Sequence, residues 1–458
     1  MTGRRSRPAT APLGVNMICR KHRLSAAAAR WALIAALSAA PGAAPRAADW
    51  RVAPQGPPLM QVVAQAANGD RILLGAGIYR VQLRITKPLT LQGEGAAIID
   101  GGGNGDVIRI AAPDVTIRQL DLRDSGHDLT NMNAVIFVEK DARNVRIEDN
   151  TLHSTAFGIW VDGSPGAHIA DNRIEGDVRL RSQDRGNGIH LFNVTGAVVA
   201  GNEVWHTRDG IYIDTSNGNT LRGNHLHDLR YGIHYMYSHH NQVVDNRTDH
   251  TRTGYALMQS KYLTVVGNRS DHDENYGILM NYIVYSTLEG NIVRNVRTGT
   301  TPGTSAAIEG AEGKAIFIYN SQFNTIRDNV FADSGIGIHL TAGSEDNTVY
   351  GNAFVHNRVQ VKYVATRSQE WSHDGRGNFW SDYLGWDANA DGIGDRPYEP
   401  NDGIDRLLWK YPAAKVLMHS PAVETLHWVQ SQFPVLRPQG VKDSFPLMAA
   451  PPQSKGLS

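Results

Sequence analysis

Asparagine recurs through the middle of this chain at Asn150, Asn172, Asn202, Asn224, Asn246, Asn268, Asn291, Asn329 and Asn352, with successive gaps of 22, 30, 22, 22, 22, 23, 38 and 23 residues. Glycine keeps step with it, because Gly158, Gly188, Gly210, Gly232, Gly254 and Gly277 each lie 14 residues before one of these asparagines. A period of about 22 residues with occasional insertions describes a stack of like units, each touching only its neighbours. The units read as short strands of alternating polarity between Gly, Asn and Asp turns, as in GIYIDTSNGNTLRGNHLHDLR from Gly210. Helical repeats of similar length need longer apolar patterns of period 3.6 and few glycines. The expected fold is all-β, a right-handed parallel β-helix of about 22 residues per coil.

In such a stack, equivalent positions of successive coils lie about 4.8 Å apart, so the asparagine column is expected to form a buried ladder of side-chain amides. The glycine column is expected to supply positive φ at the next corner. Residues 81–122, with VQLRITKPLTLQGEGAAIID and VIRIAAPDVTIRQLDL, read as the first coils, and Leu59 to Ala67 as a helix that caps the open end. Exposed sheet ends invite aggregation, which is why a cap is expected. The solenoid is assigned to residues 45–365, a post-helix loop segment to 366–404 and a tail to 405–458.

Residues 1–44 stand apart. From Met17 they run through Arg20, Lys21, Arg23 and Arg30 into the apolar stretch Trp31 to Ala40, then Gly42, Ala43 and Ala44. That order is the layout of a cleavable secretory signal, with an apolar run too short to span a bilayer. The single cysteine, Cys19, lies inside it, so the exported chain would hold no thiol and no disulfide. Metal chemistry would then fall to His, Met, Asp, Glu or Asn. Seven basic residues leave with the segment, so 38 basic face 45 acidic side chains, a balance of −7 that argues against a nucleic-acid partner.

Register assigns side chains to faces. In the strand after each glycine, Ile211, Ile213, Ile233 and Tyr235 should point inward. The second position then points outward and collects Trp160, His190, Tyr212, His234, Ala256 and Leu279. The fourth collects Asp162, Phe192, Asp214, Met236, Met258 and Asn281. An outward strip of aromatics, imidazoles and thioethers, where charges are usual, reads as a contact or binding face. The two long insertions, near Asp177 to Asp184 and near Arg297 to Ala311, enter at one corner and bracket the coils from 210 to 290.

His234, Met236 and Met258 are the densest set of soft ligands on that strip. The two methionines hold equivalent positions about 4.8 Å apart, and His234 lies two residues along the strand, about 6.6 Å from Met236. Thioether and imidazole without thiolate favour Cu(I) over zinc. A second histidine column, His206, His250, His272 and His356, follows four residues after the asparagines, with Asp228 in the skipped coil. His250 and His272, beside Asp249 and Asp271, are secondary copper candidates. After the coils, WDANADGIGD places Asp387, Asn389, Asp391 and Asp395 around Gly392 at calcium-loop spacing, although Tyr398 stands where a twelfth-position glutamate would complete an EF-hand. The tail carries Leu407, Leu408, Trp409, Val416, Leu417, Met418, Leu426, Trp428 and Val429, an apolar set that needs a surface to cover. A rival use of the scaffold is polysaccharide binding or cleavage: Asp162 and Asp214 share a column about 9.6 Å apart, and Trp160 and Tyr212 offer rings for sugars.

The runs YGIHYMYSHHNQVVDN (Tyr231 to Asn246), ITKPLTLQGEGAAIIDG (from Ile85) and NFWSDYLGWDANADGIGDRPY (from Asn378) resemble the NosD family over about residues 55–448. That resemblance implies a non-enzymatic periplasmic protein of nitrous oxide reductase maturation. It implies work beside an ABC transporter permease and ATPase, receipt of copper from a lipoprotein chaperone, delivery to the reductase, and peripheral attachment to the membrane through these partners. ATP hydrolysis would belong to the transporter, since the chain has no GxxxxGK[ST] loop.

Overall fold

The computed structural model describes residues 47–298, 313–341, 343–364, 367–401, 411, 420–432 and 440–452. The expected signal at 1–44, the bulk of the second insertion, and Leu407, Leu408, Trp409, Val416, Leu417 and Met418 lie outside the described residues. The described chain from Ala47 onward is a parallel β-solenoid. Its first face is a 12-stranded sheet running from Leu83–Ile85 to Val359–Val364. The second and third faces carry one short strand each per coil. A single coil thus contributes Asp209–Asp214 to the first face, Thr220–Arg222 to the second and His225–His227 to the third.

Register is kept from coil to coil, with Ile211 paired to Ile233, Ile233 to Tyr255 and Tyr255 to Ile278. As expected, Ile211, Ile213, Ile233 and Tyr235 point inward and are 0% exposed. Only a close-packed column of like side chains satisfies so many equivalent rungs at once.

The asparagine ladder forms. Asn246 Oδ1 accepts from the backbone N–H of Asn224 at 3.0 Å and from its Nδ2 at 2.8 Å, while Asn246 Nδ2 donates to Leu221 O and to Asn268 Oδ1, both at 3.0 Å. Each amide therefore joins its own turn to both neighbours and satisfies backbone groups that water cannot reach. The ladder extends to Asn378, whose N–H donates to Asp443 Oδ2 at 2.7 Å. Asp443, which also accepts from Trp380 Nε1 at 2.8 Å, occupies the place a further asparagine would take. At the other end, helix α1 (Leu59–Gln65) buries Leu59, Val62 and Val63 against the first coils, as a cap should.

The glycine column works differently from the expectation. None of Gly158, Gly188, Gly210, Gly232, Gly254 or Gly277 has positive φ. A Cβ at Gly210 would instead come 2.7 Å from the carbonyl oxygen of Gly232 and 2.9 Å from a Leu229 methyl. Close approach of one coil to the next requires the glycine, and the corners take left-handed residues elsewhere, such as Asp149, Asp171 and Asp245 just before the ladder. Asn, Asp and His tolerate that conformation better than other side chains.

Candidate functional site

The first-face strands place Trp160, His190, Tyr212, His234, Ala256 and Leu279 on consecutive rungs. Adjacent rungs bring rings together: Trp160 and His190 lie 3.9 Å apart between centroids, His190 and Tyr212 4.6 Å, and Tyr212 and His234 4.4 Å. The strip is not an open one. Trp160, His190, His234 and Leu279 are each less than 10% exposed, because neighbouring side chains shield one another. Trp160 is buried among the rings of Phe137, Phe157 and His190, so it has no free face for a sugar ring. Asp162 and Asp214 do share a column, with the exposed Phe192 between them.

His234 is oriented from behind. Its Nδ1 lies 3.0 Å from Asp209 Oδ2, and Arg230 holds the same carboxylate through Nε at 2.8 Å and Nη2 at 2.6 Å. Burial pushes the Asp209 carboxyl up, but the hydrogen bonds from His234 and Arg230 outweigh it and keep it below the usual carboxylate range. An ionised acceptor at Nδ1 draws a proton there, so in the neutral ring Nε2 is the nitrogen free to bind a metal. That Nε2 is buried and has no hydrogen-bond partner among the described residues. The same holds for Trp160 Nε1, His190 Nε2 and Asn281 Oδ1. Burial lowers the His190 pKa to about 3, with Arg208 adding to the effect, so this imidazole is neutral at any physiological pH.

Met236 and Met258 are direct rung partners, both half-buried, in a column that continues to Asn281. The strip thus brings an imidazole, two thioethers and an amide oxygen to adjacent strands. Thioether and imidazole donors suit a soft monovalent cation, and their partial exposure leaves them reachable.

The secondary candidates sit at a corner. His206, His250, His272 and His356 all have left-handed φ, between 50° and 57°. His250 and His272 stack at 5.7 Å, each with Nδ1 on its preceding aspartate, at 3.0 Å from Asp249 and 2.8 Å from Asp271. Hydrogen bonding to Asp249, against a smaller opposing effect of burial, raises the His250 pKa. In the WDANADGIGD loop, Asp387 accepts from the amides of Asp391 and Gly392, Asp391 from Ile393, and Asp395 from Ala388, so these carboxylates serve their own turn. The first insertion is tied to the corner of the next coil by Arg185, which donates to His206 O at 2.8 Å.

Sequence reasoning passed over Asp209, Arg230, His225 and His227. The HLH run of His225 to His227 gives two outward imidazoles at strand spacing on the third face, and Glu203 lies one coil before them. That combination of an i, i+2 pair with a 22-residue offset is readable from the sequence.

A family model described as periplasmic copper-binding protein (NosD) matches residues 170–385, which include the rungs from His190 to Lys362. No helix among the described residues is long and apolar enough to cross a membrane. Among solved structures, the chain is similar to the surface adhesin PfbA of Streptococcus pneumoniae at 12% identity and a TM-score of 0.48, covering 65% of this chain and 86% of that one. It is also similar to pectate lyase Pel9A at 12% identity and a TM-score of 0.44, covering 67% and 79%. Relatives that bear the name probable ABC transporter binding protein NosD include two of high identity. The one from Stutzerimonas stutzeri is 57% identical, over 84% of this chain and 88% of that protein. The one from Pseudomonas aeruginosa is 61% identical, over 84% of this chain and 90% of its own length, and on that footing the chain belongs to the NosD family.

Proposed function

We propose that this chain is a periplasmic carrier that holds Cu(I) on its first face and works with an ABC transporter to build the copper sites of nitrous oxide reductase. The observation that carries the reading is the buried, unpartnered Nε2 of His234, whose Nδ1 is on Asp209, two residues along the strand from the Met236–Met258 rung. A carrier must release its cargo. Few soft ligands at a partly open surface exchange a metal more readily than a closed thiolate cage, and this chain offers no thiol among its described residues. In the same reading a copper chaperone lipoprotein loads the strip, the reductase unloads it, and the transporter permease and ATPase supply the cycle. Calcium, if bound by the Asp387, Asn389, Asp391 and Asp395 loop, has a structural part only, while His250 and His272 form a secondary holding point for copper.

The test is a competition titration of the purified protein with a chromogenic Cu(I) chelator under anaerobic conditions. Replacing His234, Met236 and Met258 together with Ala should weaken binding at least about 100-fold, roughly the loss of three soft ligands. Unchanged stoichiometry and affinity in that variant would remove the site.

A further inference from the structure

We propose a second metal site, on the third face, that takes a borderline divalent cation of the Zn²⁺ or Cu²⁺ class through Glu203, His225 and His227. Among the described residues this is the one group of three His, Cys, Asp or Glu side chains whose ligand atoms all lie within 4.8 Å of one another. It stands on residues that take no part in the first-face reading.

Strand register assembles it. Glu203 and His225 are rung partners on adjacent coils, and His227 lies two residues along the same strand as His225, so all three project from one face. The two imidazole rings lie 4.7 Å apart. Each ring has one nitrogen on a carboxylate. His225 Nε2 is 2.8 Å from Asp249 Oδ2, and His227 Nδ1 is 2.8 Å from Asp228 Oδ2. In the neutral tautomer that keeps a proton on each of those nitrogens, His225 Nδ1 and His227 Nε2 are the atoms free to bind a metal. Carboxylate-oriented imidazoles of this kind are the usual second layer of a metal site, because the carboxylate fixes the tautomer and makes the ligand nitrogen more basic.

Glu203 completes the set. Arg173 takes its Oε2 at 3.1 Å, which leaves Oε1 facing His227 Nε2 at 3.7 Å. A metal ion between that oxygen and that nitrogen would replace a contact too long for a good hydrogen bond. Metal bonds of about 2.0–2.2 Å meeting near the tetrahedral angle separate their ligand atoms by about 3.4 Å, so a small closure of the Glu203 side chain suffices. Two imidazoles and a carboxylate with no sulfur ligand favour Zn²⁺ or Cu²⁺ over Cu(I) and over Ca²⁺ or Mg²⁺. Around the group stand the carboxylates of Glu203, Asp228 and Asp249 and the guanidinium groups of Arg173 and Arg247, with His250 on the other oxygen of Asp249. The stacking of Trp205 on His227, with ring planes within 4°, keeps that imidazole in place.

The experiment is a calorimetric titration of the purified protein with ZnSO₄ and, separately, CuSO₄, in a buffer that does not chelate metal. The wild-type protein should bind at least one equivalent saturably. The His225→Ala/His227→Ala variant should lose one equivalent, and Glu203→Gln should weaken that equivalent about tenfold or more. The Cu²⁺-loaded wild type should show nitrogen hyperfine structure in its electron paramagnetic resonance spectrum, and the double variant should lose it. A first-face variant with His234, Met236 and Met258 changed to Ala should keep the divalent equivalent, so failure here and failure of the Cu(I) reading are separate results. Far-ultraviolet circular dichroism should be unchanged, because the altered side chains point away from the core. The proposal is overturned if the wild type binds neither ion saturably, or if the double variant retains the full stoichiometry for both.

Discussion

Asp209 and His234 meet at 3.0 Å across the boundary between two coils, joining the position before one glycine to the outward strand position of the next turn. This contact converts an ordinary strand histidine into one with a fixed tautomer. Replacing Asp209 with Asn removes the charge that holds the proton on Nδ1, so Cu(I) affinity should fall about 10- to 100-fold. The change also takes a charge-assisted partner from Arg230 and should cost about 2 kcal/mol of stability. Chelator competition reads the first effect and urea unfolding the second. A variant with full Cu(I) affinity would show that His234 is not a ligand.

The ladder should be the most sensitive structural column. Asn246→Ala leaves the Asn224 N–H, the Asn224 amide and the Leu221 carbonyl without their partner in a dry turn. Each unsatisfied buried group costs about 1–3 kcal/mol, so a loss of about 3 kcal/mol or more is expected in a denaturant melt. A loss below about 1 kcal/mol would mean that water enters the turn.

Two glycines separate close packing from backbone conformation. Gly210→Ala forces a Cβ to within 2.7 Å of the Gly232 carbonyl oxygen and should destabilise by about 2–3 kcal/mol. Gly218→Ala meets nothing within 4 Å but carries φ +65°, so its cost should be about 1 kcal/mol, from the left-handed conformation alone. Equal melting temperatures for the two variants would contradict this division.

Acid should loosen the fold through buried neutral histidines. Burial, with nearby cationic groups adding to it, lowers the pKa of both His190 and His339 to about 3, against an ordinary value of 6.5. The folded state therefore binds these protons less readily than the unfolded chain. Their contribution is fully present above pH 6.5 and is lost progressively as pH falls from there toward 3. His190→Gln should flatten the fall of melting temperature between about pH 6.5 and 4. An unchanged slope would show that His190 does not titrate with unfolding.

Much of the architecture was legible because a solenoid writes its geometry into a period. The asparagine spacing identified the ladder, and alternation after each glycine placed Ile211 and Ile233 inside and Met236 and Met258 outside. The role of the glycines was not legible, since a one-dimensional pattern cannot distinguish a corner needing positive φ from a wall where the next coil passes too closely for a Cβ. Nor was the closure of the first-face strip, which depends on how large side chains on neighbouring rungs cover one another.

By itself, then, the sequence determined the repeat, the register and which side chains share a column, because stacking maps residues one period apart onto adjacent rungs. The tertiary structure alone decided the state of those side chains. It set Asp209 behind His234, turned Asp228 and Asp249 toward His227 and His225, and brought Glu203 opposite them. Proton position and hydrogen-bond partners follow from distances of about 3 Å between rotamers, which periodicity does not encode.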